Sequence, residues 1–355
     1  MRVAIIGAGV AGLCCAYTLG KLGISCDIYE RKHTIGSLYS YGELLLHIAH
    51  RPCKDPLKFI AKEFGILIEP LNEVRKIVIK SPKREAFIEG KQLGYIVKRG
   101  QEQESIENQL AKKINAKINF NINADYRELA KSYDYVVVAT GSSMIAKQLT
   151  EVKNVVSTRI KGGIALGDFE PNTVYLWLNT MYARSGFGYL VPLSKSNASI
   201  ILVATYTQKE EIENMWHTFL YQEKLDYEMI ETFETELDIS ITDKHQIDNM
   251  FLIGNAGGFL DPFLGFGLLN AVESAVYAAE SIKHGGDYEK KVKRITDRVD
   301  KLIGFRKMMD SIKNEDYDRI VKVIENPIVK RVMYRTNLDV IKYLHYFIKH
   351  QRPSN

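Results

Sequence analysis

A glycine-rich turn stands at the start of the chain between two short apolar runs. Residues 2–6 have the composition of a strand, residues 7–12 read Gly-Ala-Gly-Val-Ala-Gly, and residues 13–22 are rich in Ala and Leu. A second apolar run, residues 25–29, ends at Glu30. A strand, glycine turn, helix, strand and acid in this order are typical of a unit that binds a dinucleotide.

Each glycine of this turn, and the acid after it, has a chemical role in that pattern. Gly7 permits the tight turn, Gly9 lets backbone N–H groups approach a pyrophosphate, and Gly12 lets the helix pack closely on the strand. The first turn of the helix offers free N–H groups and the positive end of its dipole to phosphate. We expect Glu30 to accept hydrogen bonds from ribose hydroxyls.

The composition indicates a globular protein. A chain of 355 residues has room for two domains or for one domain with a large insertion. Its 46% hydrophobic and 26% charged residues are typical of soluble domains. Cys14, Cys15, Cys26 and Cys53 form no CxxC pair, so we expect no disulfide framework and a reducing, cytoplasmic location. Because the first strand begins at Arg2, we expect no signal peptide, and because no long uncharged apolar run occurs, we expect no membrane span.

The net charge of +5 is concentrated in the basic stretch after residue 290. A basic, helical tail can contact anionic lipid headgroups at the inner membrane surface or an acidic partner. The alternative is a solvated helical face. The apolar segment 338–348 can lie on such a surface or pack on the core of the protein. We see no nucleic-acid recognition motif and expect no such partner.

The pattern along the chain predicts an α/β fold in which a Rossmann-like parallel-sheet domain carries an inserted antiparallel-sheet domain and C-terminal helices. Residues 32–56 are expected to be loop, residues 74–79 and 85–88 a hairpin, and residues 93–97 a separate strand. The predicted domains are 1–72, 92–150 and 245–287 for the nucleotide, 73–91 and 151–244 for the substrate, and 288–355 for the helical region.

A second glycine turn lies far along the chain. Residues 251–257 read Phe-Leu-Ile-Gly-Asn-Ala-Gly, and residues 261–267 read Asp-Pro-Phe-Leu-Gly-Phe-Gly before an Ala-rich helix. This is a second helix start able to stabilise an anion, and its N–H groups can face the pyrimidine edge of a flavin, where reduced flavin is negatively charged. Because a nicotinamide enzyme needs no such site, the sequence favours FAD over NAD as the bound cofactor.

With these motifs the chain resembles the FAD-dependent monooxygenase-like superfamily, and most of all its geranylgeranyl reductase branch. The resemblance rests on residues 7–12 with Glu30, on residues 94–99, and on the second glycine turn. It implies that Arg99 lies near FAD; the alternative is a surface arginine at a strand end. The predicted cofactor-binding residues are Gly7, Gly9, Ala11, Gly12, Glu30, Arg31, Arg99, Ile122, Thr140, Gly141, Gly254, Asn255, Asp261, Pro262, Gly265, Gly267 and Leu268.

Three positions depart from the family pattern. The family has Asp where this chain has Asn255, and Asp-Gly where it has Thr140-Gly141. The reductase branch often has Cys-Gly-Glu where this chain has Tyr41-Gly42-Glu43. An amide can still hydrogen-bond a ribityl hydroxyl without adding charge.

The candidates for proton delivery lie in one segment, and those for substrate contact in another. Tyr41, His47, His50 and Cys53 are the candidate proton donors, each with a structural role as the alternative. Tyr189 and Pro192 occupy positions where the family lines its substrate pocket, although a role in the core of the sheet is equally compatible. No metal site is predicted.

The predicted function is FAD-dependent reduction of C=C bonds in a polyprenyl chain of an isoprenoid lipid. The alternatives are a flavin monooxygenase of a small aromatic or isoprenoid substrate, a non-redox flavin-dependent cyclase, and a binding module; a halogenase is less favoured. No second GxGxxG unit is present, so the electron donor is expected to be NAD(P)H docking transiently or a protein such as ferredoxin.

Overall fold

The computed structural model describes residues 1–51 and 53–335, and these residues form two sheets. The first sheet has six strands in the order β13-β14-β7-β1-β2-β6, all parallel except for the β13–β14 pair. Its strands are β1 (Val3–Ile6), β2 (Cys26–Tyr29), β6 (Lys117–Asn119), β7 (Tyr135–Val138), β13 (Gln246–Ile247) and β14 (Met250–Leu252).

Helices cover both faces of this sheet, which explains its continuous apolar strands. Helix α1 (Val10–Lys21) and helix α8 (Leu268–His284) pack on each other and enclose the largest hydrophobic core. The smaller helices are α2 (Pro56–Phe59), α3 (Ile106–Ala111), α4 (Tyr126–Ser132) and α5 (Ala146–Leu149).

The second sheet has eight strands in the order β12-β8-β11-β10-β9-β4-β5-β3, antiparallel except for the β4–β9 pair. One face packs on α7 (Ile212–Gln222), with Trp177, Trp216 and Phe219 in its core. The strands are β3 (Tyr41–Leu46), β4 (Asn72–Ser81), β5 (Arg84–Arg99), β8 (Val152–Leu166), β9 (Thr173–Trp177), β10 (Phe187–Pro192), β11 (Asn197–Thr205) and β12 (Glu228–Thr242); α6 (Thr180–Ala183) follows β9.

Three further helices follow the second glycine turn. They are α9 (Tyr288–Met309), α10 (Asn314–Glu325) and α11 (Pro327–Arg335). Val292, Ile295 and Val299 of α9 belong to the core of the first sheet, while α10 packs on β4 and β5. Within the described residues, none of the helices combines the length and apolar character that a membrane crossing requires. Segment 338–348 lies outside the described residues.

Two elements differ from the sequence-based expectation. Residues 41–46, expected to be loop, form strand β3 and pair with β5, Tyr41 opposite Arg99. The expected hairpin strand and the expected separate strand are one strand, β5, which runs through the boundary predicted between residues 91 and 92. The pairing of β5 with β4 shifts register between Glu89 and Gly94, so an irregularity, and not the end of a strand, separates the two expected strands.

Candidate functional site

The first glycine turn has the geometry that its sequence predicts. Gly7 has φ +108°, and a Cβ there would overlap the carbonyl oxygen of Ala139. A Cβ on Gly12 would overlap the carbonyl oxygen of Gly7. At Gly9, by contrast, no described atom lies within 4 Å of the position a Cβ would occupy, and no described side chain caps helix α1 there. The turn is closed at Gly7 and Gly12, and the start of the helix is open at Gly9.

Glu30 is buried beside this turn. Its Oε2 accepts a hydrogen bond from the backbone N–H of Ala8 at 2.8 Å, and its Oε1 accepts one from Lys32 at 2.9 Å. The N–H of Ile122 donates to the carbonyl oxygen of Glu30 at 3.0 Å, which brings that predicted residue alongside. The neighbouring Arg31 is exposed. Each carboxylate oxygen keeps a second lone pair for a hydroxyl donor.

The second glycine turn meets the first in space. Strands β1, β7 and β14 run parallel, so the turns after them share one edge of the sheet. Gly254 has φ +56°, and a Cβ there would stand 3.0 Å from the Cβ of Ala11. The amide of Asn255 donates to the carbonyl oxygen of Gly141 at 3.4 Å. Thr140 bonds to Ser142 within its own turn.

Residues 261–267 form a compact turn before helix α8. Asp261 is 4% exposed, and its Oδ1 accepts backbone N–H groups of Phe263 at 2.7 Å and Leu264 at 3.3 Å. Burial raises the pKa of Asp261 to about 6, against the effect of these hydrogen bonds. Gly267 precedes the helix, and no described side chain caps it. Pro262 and Leu268 are buried, and Gly265, at φ +75°, is exposed.

Arg99 lies between two carboxylates rather than on the surface. Its Nε donates to Glu107 at 2.7 Å, and its guanidinium also pairs with Glu43. Glu107 is fully buried, and its Oε2 has no partner among the described residues. Burial opposes the charge of Arg99, but Glu107, Tyr41 and Glu43 hold its pKa well above the ordinary value. The cluster therefore holds two carboxyl groups against one guanidinium near the start of β3.

Aromatic side chains surround this cluster. The Arg99 guanidinium lies 5.7 Å from the centre of the Tyr41 ring. Burial raises the pKa of Tyr41 to about 12. Burial and the nearby Tyr41 raise the pKa of Tyr189 well above its ordinary value. Phe233 stacks on Tyr39, with ring centres 4.8 Å apart, and lies 6.3 Å from Tyr41. The phenols of Tyr41 and Tyr189 are therefore neutral near pH 7.

The register of the second sheet explains this aromatic face. Tyr189 pairs with Ile201, Ile201 with Gly162, and Gly162 with Phe233, so these side chains stand on one face. The pleat directs Pro192, three residues after Tyr189, to the opposite face, where its partner Ala198 belongs to the core beside α7. The structure does not bring the two predicted substrate residues to the same face.

The remaining proton-donor candidates lie at the other end of β3. At about 3.3 Å per residue, Tyr41 and His47 are roughly 20 Å apart along the strand. Burial lowers the pKa of His47, whose Nε2 is buried without a described partner, and burial lowers the pKa of His50 to about 4. The His50 ring lies 5.8 Å from Phe266 in the Asp261 turn. Cys53 is half-buried, and burial raises its pKa.

Several residues of these groups were not identified from the sequence. Glu107 and Glu43 hold Arg99, Tyr39 and Phe233 extend the aromatic face, and Arg298 reaches the His47–His50 turn. A glutamate between the apolar residues 106 and 110 is the one signal that pointed to a buried charge. The others depend on pairings between residues distant in sequence.

A cleft of about 740 Å³ lies elsewhere, between the start of β8, the end of β12 and helix α9. Its lining carries both charges, including Lys153, Asp243 and Lys290, together with the His245–Glu289 pair. Gly258, the residue after the second glycine turn, also lines the cleft. The cleft is therefore not the predicted cofactor site.

Comparison with known proteins supports the class that the fold and site suggest. Residues 5–50 match an NAD(P)-binding Rossmann-like domain. The digeranylgeranylglycerophospholipid reductase of Thermoplasma volcanium is 21% identical over 398 aligned residues, which cover 96% of this chain and 95% of the relative. Digeranylgeranylglycerophospholipid reductase 2 of Methanothermobacter thermautotrophicus is 22% identical over 188 residues; the match spans 49% of each chain, about half the length of that relative.

Solved structures share the fold over nearly the whole chain. A geranylgeranyl bacteriochlorophyll reductase-like protein from Thermoplasma acidophilum has a TM-score of 0.75 at 17% identity, with 97% of this chain and 98% of that chain covered. A p-nitrophenol 4-monooxygenase from Pseudomonas putida has a TM-score of 0.65 at 13% identity, and a flavin-dependent brominase has one of 0.62 at 15% identity. The fold and the glycine turns are those of a Rossmann-like nucleotide-binding protein, and the chain is similar to reductases and to flavin-dependent enzymes. The resemblance to geranylgeranyl reductases, predicted from the motifs, is confirmed.

Proposed function

We propose that this protein is an FAD-dependent reductase of C=C bonds in a polyprenyl chain of an isoprenoid lipid. The observation that carries the proposal is the apolar face on which Tyr189, Ile201 and Phe233 stand in register, beside the neutral phenol of Tyr41. A lipid chain requires such an apolar surface, since it offers no groups for hydrogen bonding. The names of the two archaeal relatives support the same substrate class.

The two glycine turns fit FAD. The open helix start at Gly9 has room for a pyrophosphate, and Glu30 keeps lone pairs for ribose hydroxyls. The uncapped start of α8 after Gly267 suits the pyrimidine edge of the flavin, with Asn255 close by. Reduced FAD, when bound, supplies the hydride for an alkene. Arg99 is held firmly enough by Glu43 and Glu107 to keep one position on the flavin side.

In this proposal the chain itself delivers the proton and excludes water. A double bond that gains a hydride at one carbon needs a proton at the other, and a neutral phenol donates it. Tyr41 is the proposed donor, because its phenol is protonated near pH 7 and lies beside the apolar face. Tyr39 and Phe233 cover the apolar face and keep water away from the reacting carbons. Solvent restores the proton to Tyr41 after product release.

The electron donor and the membrane contact belong to the same proposal. Electrons come from NAD(P)H docking transiently or from a reduced ferredoxin. The substrate is reached at the inner membrane surface through the basic C-terminal helices. The electron donor is tested by supplying NAD(P)H and reduced ferredoxin in turn. The membrane contact is tested by cosedimentation with anionic and neutral vesicles.

The test is an anaerobic reaction of FAD-loaded, chemically reduced protein with a geranylgeranyl lipid, followed by mass spectrometry. We expect two hydrogens added for each bond reduced. Incorporation of an oxygen atom in air would identify a monooxygenase, and an altered product of unchanged mass a cyclase. Purified protein that binds no flavin on titration would overturn the proposal.

Variants separate the two groups of proton-donor candidates. Tyr41→Phe is expected to lower kcat by about 10²–10⁴-fold with an unchanged flavin spectrum, because general acid catalysis contributes on that scale. Tyr189→Phe is expected to raise KM more than it lowers kcat. The matched control is His47→Gln, which lies at the other end of β3; a loss in this variant with a normal Tyr41→Phe enzyme would assign the proton to the histidine group.

A further inference from the structure

One arginine of the C-terminal helix α9 reaches a turn almost 250 residues earlier in the chain. The guanidinium of Arg298 donates to the carbonyl oxygen of Ala49, in the middle of the His47–His50 turn. Ala49 and His50 are buried, so this carbonyl lies inside the protein. A charged donor on a buried carbonyl is among the stronger hydrogen bonds of a protein.

The same arginine acts on the Asp261 turn. The His50 ring lies against Phe266 of that turn, so the two turns are in contact. The charge of Arg298 also lowers the pKa of both Asp261 and His50. Arg298 therefore holds the first turn directly and reaches the second turn through the contact between His50 and Phe266.

The position of Arg298 is fixed by the rest of α9. Four residues earlier, Arg294 pairs with the buried Glu273 of α8 and stands 5.8 Å from the Phe59 ring. Val292, Ile295 and Val299 anchor the helix in the main core. A guanidinium carried by such a helix has little freedom to move.

We propose that Arg298 is a positioning residue that joins the His47–His50 turn to the Asp261–Gly267 turn and so shapes the flavin site from the C-terminal helix. The inference rests on the proposed function, since the second turn is its flavin-binding element. Without Arg298 the first turn loses the donor to its buried carbonyl, and the His50 ring that packs on Phe266 loses this support. We expect the second turn, and with it the start of α8, to shift.

The charge of Arg298 has a second consequence. Asp261 accepts two backbone N–H groups of its own turn, and the charge of Arg298 on α9 also lowers its pKa. His50, neutral near pH 7, packs on Phe266 of the same turn. Glu273 on α8 also interacts with Arg298 and Arg294. Removing the positive charge leaves the two backbone N–H groups as the remaining groups that oppose burial at Asp261, so the pKa of Asp261 rises further.

The experiment compares Arg298→Gln, Arg298→Lys and the control Lys301→Gln, which removes a charge from an exposed position of the same helix. FAD titrations between pH 5 and 8 should show about tenfold weaker binding for Arg298→Gln at pH 7. Binding should recover in part for Arg298→Lys and stay unchanged for Lys301→Gln. In flavin-free protein, carboxyl NMR should show the Asp261 titration moved to higher pH only in Arg298→Gln.

The outcomes separate this inference from the proposed function. If wild-type protein binds FAD and Arg298→Gln binds it equally well with an unmoved Asp261 titration, the positioning role is wrong and the proposed function stands. If wild-type protein binds no FAD, the proposed function fails, and the NMR titration decides whether Arg298 acts on Asp261.

Discussion

At the scale of single residues, the first turn uses glycine for three different reasons. Gly7 needs a positive φ and cannot carry a side chain against Ala139. Gly12 has ordinary helical geometry but touches the backbone of Gly7. Gly9 has φ −85° and open space around it, so the fold itself does not require a glycine there. The proposed function supplies a reason for Gly9, which is a ligand that approaches the backbone.

This difference predicts that alanine at position 12 lowers stability, whereas alanine at position 9 mainly weakens ligand binding. Gly12→Ala should lower the free energy of unfolding by about 3 kcal/mol, because its Cβ overlaps backbone that cannot move aside. Gly9→Ala should cost no more than about 1 kcal/mol, the difference between glycine and alanine at an N-cap, yet weaken FAD binding at least tenfold. Urea unfolding and flavin titration measure both. Equal loss of stability in the two variants would contradict the open geometry at Gly9.

At the scale of elements, the sequence predicted those that depend on local pattern. The βαβ unit, the second glycine turn and helix α8 follow from glycine spacing and apolar runs. Strand β3 could not be predicted, because residues 32–56 look like loop and Tyr41 becomes strand only by pairing with Arg99. The Glu43–Arg99–Glu107 cluster depends on that pairing and was equally hidden. Tyr41 and His47 were predicted as proton donors in a single loop, but strand β3 places them at opposite ends.

The shifted pKa values of His50 and Asp261, in two turns that contact each other, predict two pH dependences of stability that oppose each other. Burial lowers the pKa of His50 from 6.5 to about 4, so this group removes about 3 kcal/mol of stability as pH falls through that window. Burial raises the pKa of Asp261 from 3.8 to about 6, so this group restores about 3 kcal/mol as pH falls from 6 to 4. The two effects nearly cancel in the wild-type protein.

Asp261→Asn should expose the histidine effect. The amide oxygen can still accept the N–H groups of Phe263 and Leu264, so the turn is kept while the titration is removed. We expect the stability of this variant, relative to wild type, to fall by about 3 kcal/mol between pH 6 and pH 4. Urea unfolding at a series of pH values measures the difference. A constant difference across this range would show that Asp261 titrates normally.

At the scale of the whole molecule, helix α9 connects the two sheets. Its first half packs in the core of the nucleotide-binding sheet, and Arg306 near its end reaches the second sheet. Arg306 is 4% exposed and donates to the carbonyl oxygen of Ser185 at 3.0 Å and to Asp310 at 2.9 Å. Asp310 also accepts from the hydroxyls of Ser185 and Tyr206. This network ties the end of helix α9 to the segment that leads into β10 of the second sheet.

Arg306→Met should therefore weaken the coupling between the sheets as well as total stability. Removing one partner of a buried ion pair costs about 3–5 kcal/mol, and here the lost pair belongs to the connection between the two sheets.

Both tryptophans of the chain, Trp177 and Trp216, lie in the core of the second sheet, so their fluorescence reports that sheet alone, whereas circular dichroism reports both. In wild-type protein the two unfolding curves should coincide, as a single cooperative transition requires. In Arg306→Met they should separate, while Arg319→Met, which removes an exposed ion pair on α10, should keep them together. Coincident curves in Arg306→Met would mean that other contacts, such as those of α10 with β4 and β5, are sufficient to hold the sheets in one cooperative unit.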